Sequence, residues 1–274
     1  MKKLVILLGV LFTQTLTAQN YVHQVLVLNE GYFDYTTSQI VEPVTIGTYD
    51  PMTQVYSTVD TIDGARFASD MAVDGSYFYV AADNELHKYD INTYSLVATQ
   101  QVPGIRSLTI HQDKILVSRG EYMITYNSYL QIYSKTDLSF ITEFDTIVGP
   151  KWATQNMVVD GNTVYVAINN GFEWGNEKGL VGIIDMNTMT YMNEIDLGPD
   201  GTNPDNMVFD GTHVYTINNK DFSGASISKV DISTGTSITT NLSTINTGCG
   251  TSCLRNGTIN YQPSGDTELY EWDP

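Results

Sequence analysis

"HKYDINTYSLV", residues 87–97, decides the fold. It reads as a strand-like run ending at Asp90, a polar turn with Thr93 three residues on, and a second strand-like run. The phrase returns as "IGTYDPMTQVY" from Ile46, "IIDMNTMTYM" from Ile183 and "SKVDISTGTSI" from Ser228. Weaker copies stand at "QIYSKTDLSFI" from Gln131 and "LYEWDP" from Leu269. With the Asp, or the Ser replacing it, as register mark, Asp50, Asp90, Ser134, Asp185, Asp231 and Asp273 are separated by 40, 44, 51, 46 and 42 residues. A period of that length built only of short strands marks a β-propeller blade.

A second phrase locks to the first: "SDMAVDGSYFYVAADN" from Ser69, "QNMVVDGNTVYVAINN" from Gln155 and "DNMVFDGTHVYTINNK" from Asp205. Each is an alternating strand with an early Met (Met71, Met157 or Met207), an Asp-Gly turn and a second alternating strand. Asp-Gly between alternating runs is a strong hairpin signal. A fourth copy, "RSLTIHQDKILVSRG" from Arg106, puts Gln112-Asp113 at the turn. The Asp-Gly hairpin supplies strands A and B, and the Asp-Thr hairpin strands C and D, which together make one four-stranded blade. The carboxylates of both phrases are turn chemistry.

The expected blades run about 22–64, 65–104, 105–149, 150–200 and 201–244, with a partial sixth over 245–274. The first lacks its A strand and the last stops inside strand C. The expectation is an all-β propeller over 20–274 with about five and a half blades, a fragment of a seven-bladed ring.

Residues 1–19 open with Lys2 and Lys3, continue through an apolar run from Leu4 to Phe12 and end in small and polar residues. That is the pattern of a secretory signal peptide cut after Ala18 or Gln19, and the apolar run is too short to span a membrane. Formal charge is −18, and −20 once residues 1–19 are removed. Nucleic-acid binding needs clustered Lys and Arg, so this balance excludes it. The two cysteines, Cys249 and Cys253, suit a local disulfide in an oxidising compartment, worth about 2 kcal/mol for so short a loop.

"VYVAINN" from Val164, "GLVGIIDMNTMTYMNEIDLG" from Gly179 and "VYTINN" from Val214 resemble the secreted YncE or YVTN surface-layer propellers, in the superfamily named after the quinoprotein amine dehydrogenase β-chain. The resemblance implies a seven-bladed exported protein without a quinone cofactor, of a kind found in bacteria that use type IX secretion.

In a propeller the D-to-A and B-to-C loops share one face around the channel mouth. Two residues after the loop glycines stand Arg66, Arg106 and Lys151, while the fourth copy has Asp200. Arg119, Lys178 and Lys220 map to the same face. One reading is an anion or acidic-glycan site with Trp152, Phe172 and Trp174 as stacking surface; the other pairs these cations with neighbouring acids between blades. The long loop Asn169–Gly179 is where binding residues gather. A second constellation is Glu30, Asp70, Asn156 and Asn206, with Ser107 at the matching place in the third blade. Propeller lactonases hold a divalent ion with such a set, and these oxygen ligands suit calcium or magnesium; the alternative is local backbone bonding at strand starts. GxSxG, HExxH and phosphate-loop patterns are absent, and His23, His87, His111 and His213 stand singly, which fits structural roles.

The expected function is a non-catalytic secreted or cell-surface binding propeller whose partner is a protein, a glycan or an anionic ligand. The alternative is a metal-dependent lactonase-like hydrolase at the channel mouth.

Overall fold

The computed structural model describes residues 24–220, 222–243, 247 and 252–274. The expected signal peptide, His23 and Cys249 lie outside them. The first sheet joins β1 (Val25–Asn29), β4 (Val44–Asp50) and β5 (Val55–Ile62), while β2 (Tyr32–Asp34) and β3 (Gln39–Glu42) form a hairpin inside the β1–β4 connection. Four complete sheets follow: β6 (Ala68–Asp74), β7 (Tyr77–Ala82), β8 (Glu85–Asp90) and β9 (Leu96–Gln101); then β10 (Ile105–His111), β11 (Lys114–Arg119), β12 (Ser128–Ser134) and β13 (Phe140–Asp145). The next comprises β14 (Thr154–Asp160), β15 (Thr163–Ile168), β16 (Leu180–Asp185) and β17 (Thr190–Asp196). After a 3₁₀ turn at Pro199–Gly201 come β18 (Pro204–Phe209), β19 (His213–Asn218), β20 (Ser226–Asp231) and β21 (Thr236–Asn241). The sixth sheet has β22 (Ser252–Arg255), β23 (Thr258–Tyr261) and β24 (Tyr270–Trp272).

All pairings are antiparallel and, apart from β1–β4 across the inserted hairpin, join chain neighbours, so each sheet is a meander. The first sheet holds strands B, C and D, and the sixth A, B and C, as the repeat phrases imply. The β2–β3 hairpin is the one strand pair no phrase announced.

Five apolar layers lie between successive sheets. In β7, Phe78, Val80 and Ala82 pack toward the first blade, whereas Tyr79 and Ala81 pack toward the third. Successive side chains of a strand point to opposite faces. The B strands β7, β11, β15 and β19 are therefore buried on both faces, with five of six residues enclosed in each. Sheets stacked face to face in this way around an axis, with almost no helix, are a β-propeller.

The turns work as their sequences imply. Asp50 Oδ1 accepts the Met52 N–H at 2.8 Å and Oδ2 the Thr53 hydroxyl at 2.8 Å. Asp185 and Asp231 hold Asn187 and Ser233 by the same 2.9 and 2.8 Å bonds. The residue after the Thr takes a left-handed backbone, at Gln54, Tyr94 and Met189, and at Gly235 in the fifth blade. In the A–B turns Gly75 and Gly161 have φ of 59° and 56°, and Gln112 takes 55° at the same place in the third blade.

Candidate functional site

Each A strand begins with a register shift, between Ala68 and Asp70, Ile105 and Leu108, Thr154 and Met157, and Pro204 and Asn206. Such bulges re-aim side chains next to the axis of a sheet protein. Here they turn Asp70, Ser107, Asn156 and Asn206 along the ring. Asp70 Oδ2 accepts the Ser107 hydroxyl at 2.5 Å and the Leu108 N–H at 2.9 Å. Asn156 donates to Ser107 Oγ at 3.3 Å and accepts the Met207 N–H at 3.1 Å. Asn206 donates to the Ser252 carbonyl at 3.1 Å. Four blade junctions are clasped in sequence by these side chains.

They line a polar channel of about 370 Å³ together with Ser69, Arg106, Gln155, Asp205 and Ser252. A second row crosses it. Arg106 Nε donates to Gln155 Oε1 at 3.4 Å, and Asp205 accepts from Gln155 at 2.9 Å and from Asn219 at 3.1 Å. Burial holds the Asp205 and Asp70 carboxyls above the ordinary carboxylate range, against the pull of these donors. Of the proposed metal-ligating set, Asp70, Asn156 and Asn206 meet in this channel, while Glu30 lines a different cavity. Among the described residues no group of three or more His, Cys, Asp or Glu gathers.

That cavity, also about 370 Å³, is built from D-to-A and B-to-C loop residues and lined by Glu30, Tyr35, Arg66, Phe67, Asp83, Gly104, Ile105, Arg106, Gly120, Glu121, Tyr122 and Phe172. The D-to-A and B-to-C loops thus meet on one face. Arg66 Nη2 binds Asp83 at 2.5 Å and Glu121 at 3.1 Å, across 55 residues of sequence in the second case. Arg106 lines both cavities, its guanidinium 5.8 Å from the Phe67 ring centre and 4.8 Å from that of Phe172. Gly120 lets Phe172 lie close to the backbone, since a Cβ there would stand 3.1 Å from the ring.

The expected stacking and cationic residues divide. Arg66, Arg106 and Phe172 come together in the mouth cavity. Trp152 packs against the core between the third and fourth blades, with Lys178 Nζ 4.5 Å over its ring. Trp174 is 77 % exposed, 6.4 Å from Tyr122, and Lys151 is exposed. The expected basic mouth is substantially neutralised: Arg66 and Lys220 pair with acids, Lys220 with Asp200 at 3.0 Å, and Arg119 is buried against the Pro103 and Ser128 carbonyls. The sequence reading missed Tyr35, Phe67, Tyr122 and Asp83, because nothing local in the chain brings them to one cavity. Cys253 is exposed and unpaired among the described residues, its expected partner lying outside them.

No family model matches the chain, and no curated protein matches it. Solved structures do. Hydrazine synthase of Kuenenia stuttgartiensis is similar at 13 % identity over 84 % of this chain and 70 % of that one, with a TM-score of 0.64. The Pan2 WD40 domain of Neurospora crassa gives 11 % identity, coverage of 81 % and 67 %, and a TM-score of 0.57. BamB from Moraxella catarrhalis gives 14 %, coverage of 91 % and 73 %, and 0.53. Proteins so different in sequence share only the fold with this chain, and that fold is the β-propeller.

Proposed function

We propose that the chain is an exported, non-catalytic binding propeller of the YncE/YVTN surface-layer kind, which takes its partner on the channel-mouth face. One observation carries this reading: the two faces differ in what they expose. Mouth-face loops present Tyr35, Tyr122, Met123, Ile147, Val148 and Trp174, each between 59 % and 85 % exposed. Within the turns of the opposite face, built mainly of Asp, Asn, Thr, Ser and Gly, only Met52 and Met189 are exposed large apolar residues among those described, with Val55, Val73, Leu96 and Phe140 exposed at the strand ends beside them. Clustered exposed aromatics and Met are the composition of a contact surface. Arg66 and Lys220 of the mouth are already paired with acids, so a partner meeting them bears little cost of ordering them. Support for export is the Lys2, Lys3, Leu4–Phe12 and Ala18 pattern.

The test is a screen of the purified chain against arrayed glycans and immobilised secreted peptides, repeated with Tyr122→Ser/Trp174→Ser and with Met52→Ser/Met189→Ser. Ligands should be lost with the first pair and retained with the second. Binding indifferent to the mouth pair sinks the reading. For export, the amino-terminal sequence of secreted material should begin just after Ala18 or Gln19; an intact Met1 there counts against it.

A further inference from the structure

The polar groups of the mouth cavity are held in one connected network. Arg66 donates through Nε and Nη2 to Asp83 and through Nη2 to Glu121 at 3.1 Å, and the other Glu121 oxygen accepts the Tyr126 hydroxyl at 3.0 Å. Arg66 Nη1 donates to no described residue, and each Glu121 oxygen keeps a lone pair beyond the one bond it accepts. The side chains of Arg66, Asp83 and Glu121 are 28 %, 15 % and 22 % exposed, so the network is fixed from within and reachable from solvent. It offers a donor and acceptors side by side in set positions.

The lining disfavours three ligand classes. Two guanidinium groups, Arg66 and Arg106, stand against three carboxylates, Glu30, Asp83 and Glu121, so an anion meets more like charge than opposite charge. A cation finds the Phe67 ring already flanked by Arg66 and Arg106, at 5.4 and 5.8 Å, and Phe172 by Arg106 at 4.8 Å. An extended peptide finds no free main-chain edge, because the loops bond one another. Gly104 N–H goes to Asn84 Oδ1 at 2.9 Å, Gly120 N–H to the Gly104 carbonyl at 2.8 Å, and Asp83 N–H to the Phe67 carbonyl at 2.9 Å. The rings that stay open are Tyr35 and Tyr122, 71 % and 59 % exposed.

We propose that this cavity holds a neutral pyranose residue, the end or branch of a glycan, with its C–H face on Tyr122 and its vicinal hydroxyls on Arg66 Nη1 and Glu121. A pyranose presents an apolar face and, around its edge, hydroxyls that both donate and accept without net charge. The cavity, about 370 Å³, lies near the low end of the roughly 300–1,000 Å³ range of small-molecule sites, which suits a sugar ring with its linkage. Gly104 keeps the network in place, since a Cβ there would stand 2.5 Å from the Tyr126 hydroxyl that Glu121 accepts. The site lies on the face already proposed for binding and rests on that reading.

The probes are the methyl glycosides of glucose, galactose, mannose and N-acetylglucosamine, with glucuronate and glucosamine as charged controls, titrated into the whole chain by saturation-transfer NMR and calorimetry. At least one neutral glycoside should bind with a Kd on the order of 1 mM, at least about tenfold tighter than either charged control. Tyr122→Ser, a change at an exposed ring, and Glu121→Gln should each weaken it by at least about tenfold, while Met52→Ser leaves it unchanged. No neutral glycoside bound at about 50 mM, a preference for glucuronate, or binding indifferent to both mouth substitutions overturns the inference. If secreted peptides are captured and then lost with Tyr122→Ser/Trp174→Ser while no glycoside binds, the sugar is wrong and the mouth face stands. If no ligand of either kind responds to that pair, both fall.

Discussion

Replacing Asp70 by Asn separates a structural clasp from a metal ligand. Asp70 accepts three hydrogen bonds, from Ser107, Leu108 and Met71 N–H. Asn keeps one carbonyl oxygen. Turned toward Ser107 and Leu108, it leaves an amide facing the Met71 N–H, so one donor loses its partner and the others lose charge assistance. An unmade bond at such a site costs about 1–3 kcal/mol. For a chain of this size each kcal/mol moves Tm by about 2–4 °C, so the expected fall is about 2–12 °C. The pH dependence has a defined sign. Burial raises the Asp70 carboxyl above its ordinary 3.8, so its stabilising contribution is complete below that value and is lost as pH rises through the folded-state value. The Tm gap between native protein and Asp70→Asn should therefore be widest near pH 4 and narrow toward neutrality, with the remaining carboxylates cancelling in the difference. Calorimetry in calcium and in EDTA completes the assay. The clasp predicts the same gap in both. If EDTA lowers the native Tm by as much as the substitution does, and leaves the variant unmoved, Asp70 holds a metal and the reasoning fails.

Gln112→Gly should raise stability, because a left-handed residue with a side chain costs about 1–2 kcal/mol and glycine returns about 0.5–1 of it as chain entropy; Gly161→Ala, with φ of 56°, should lower it, and calorimetry showing one sign for both changes refutes the turn argument. Arg66→Ala should cost about 1 kcal/mol, discounted for partial exposure, and should speed proteolysis in the Gly120–Tyr126 loop, which loses the Glu121 anchor. Unchanged cleavage would show that the ion pair does not hold the loop. Trp174→Ala should leave stability within about 0.5 kcal/mol, since the ring is 77 % exposed, while reducing retention on any mouth-face ligand.

The blade was legible because its turns are chemical statements. An Asp that must accept two N–H groups and a Thr hydroxyl, or a Gly that must turn left-handed, can be recognised without knowing what surrounds it. Gln54, Tyr94 and Met189 adopt the same left-handed backbone with no glycine to announce it, and there only the repeat identifies the turn. The β2–β3 hairpin has no counterpart in other blades, so periodicity could not reveal it. The site is another matter. Arg66 reaches Glu121, and Arg106 lies over Phe172, only because the ring brings loops of successive blades to one mouth. The sequence allowed these cations to pair with acids between blades but could not name Asp83, Glu121 and Asp200 as the partners. The same geometry turned a string of Asp, Ser and Asn into inter-blade clasps, since each stands where a bulge aims it along the ring and not across the channel. The repeat residues serve the architecture, and the loops that break the repeat supply the exposed aromatic face. A partner is therefore to be sought where the blades differ from one another.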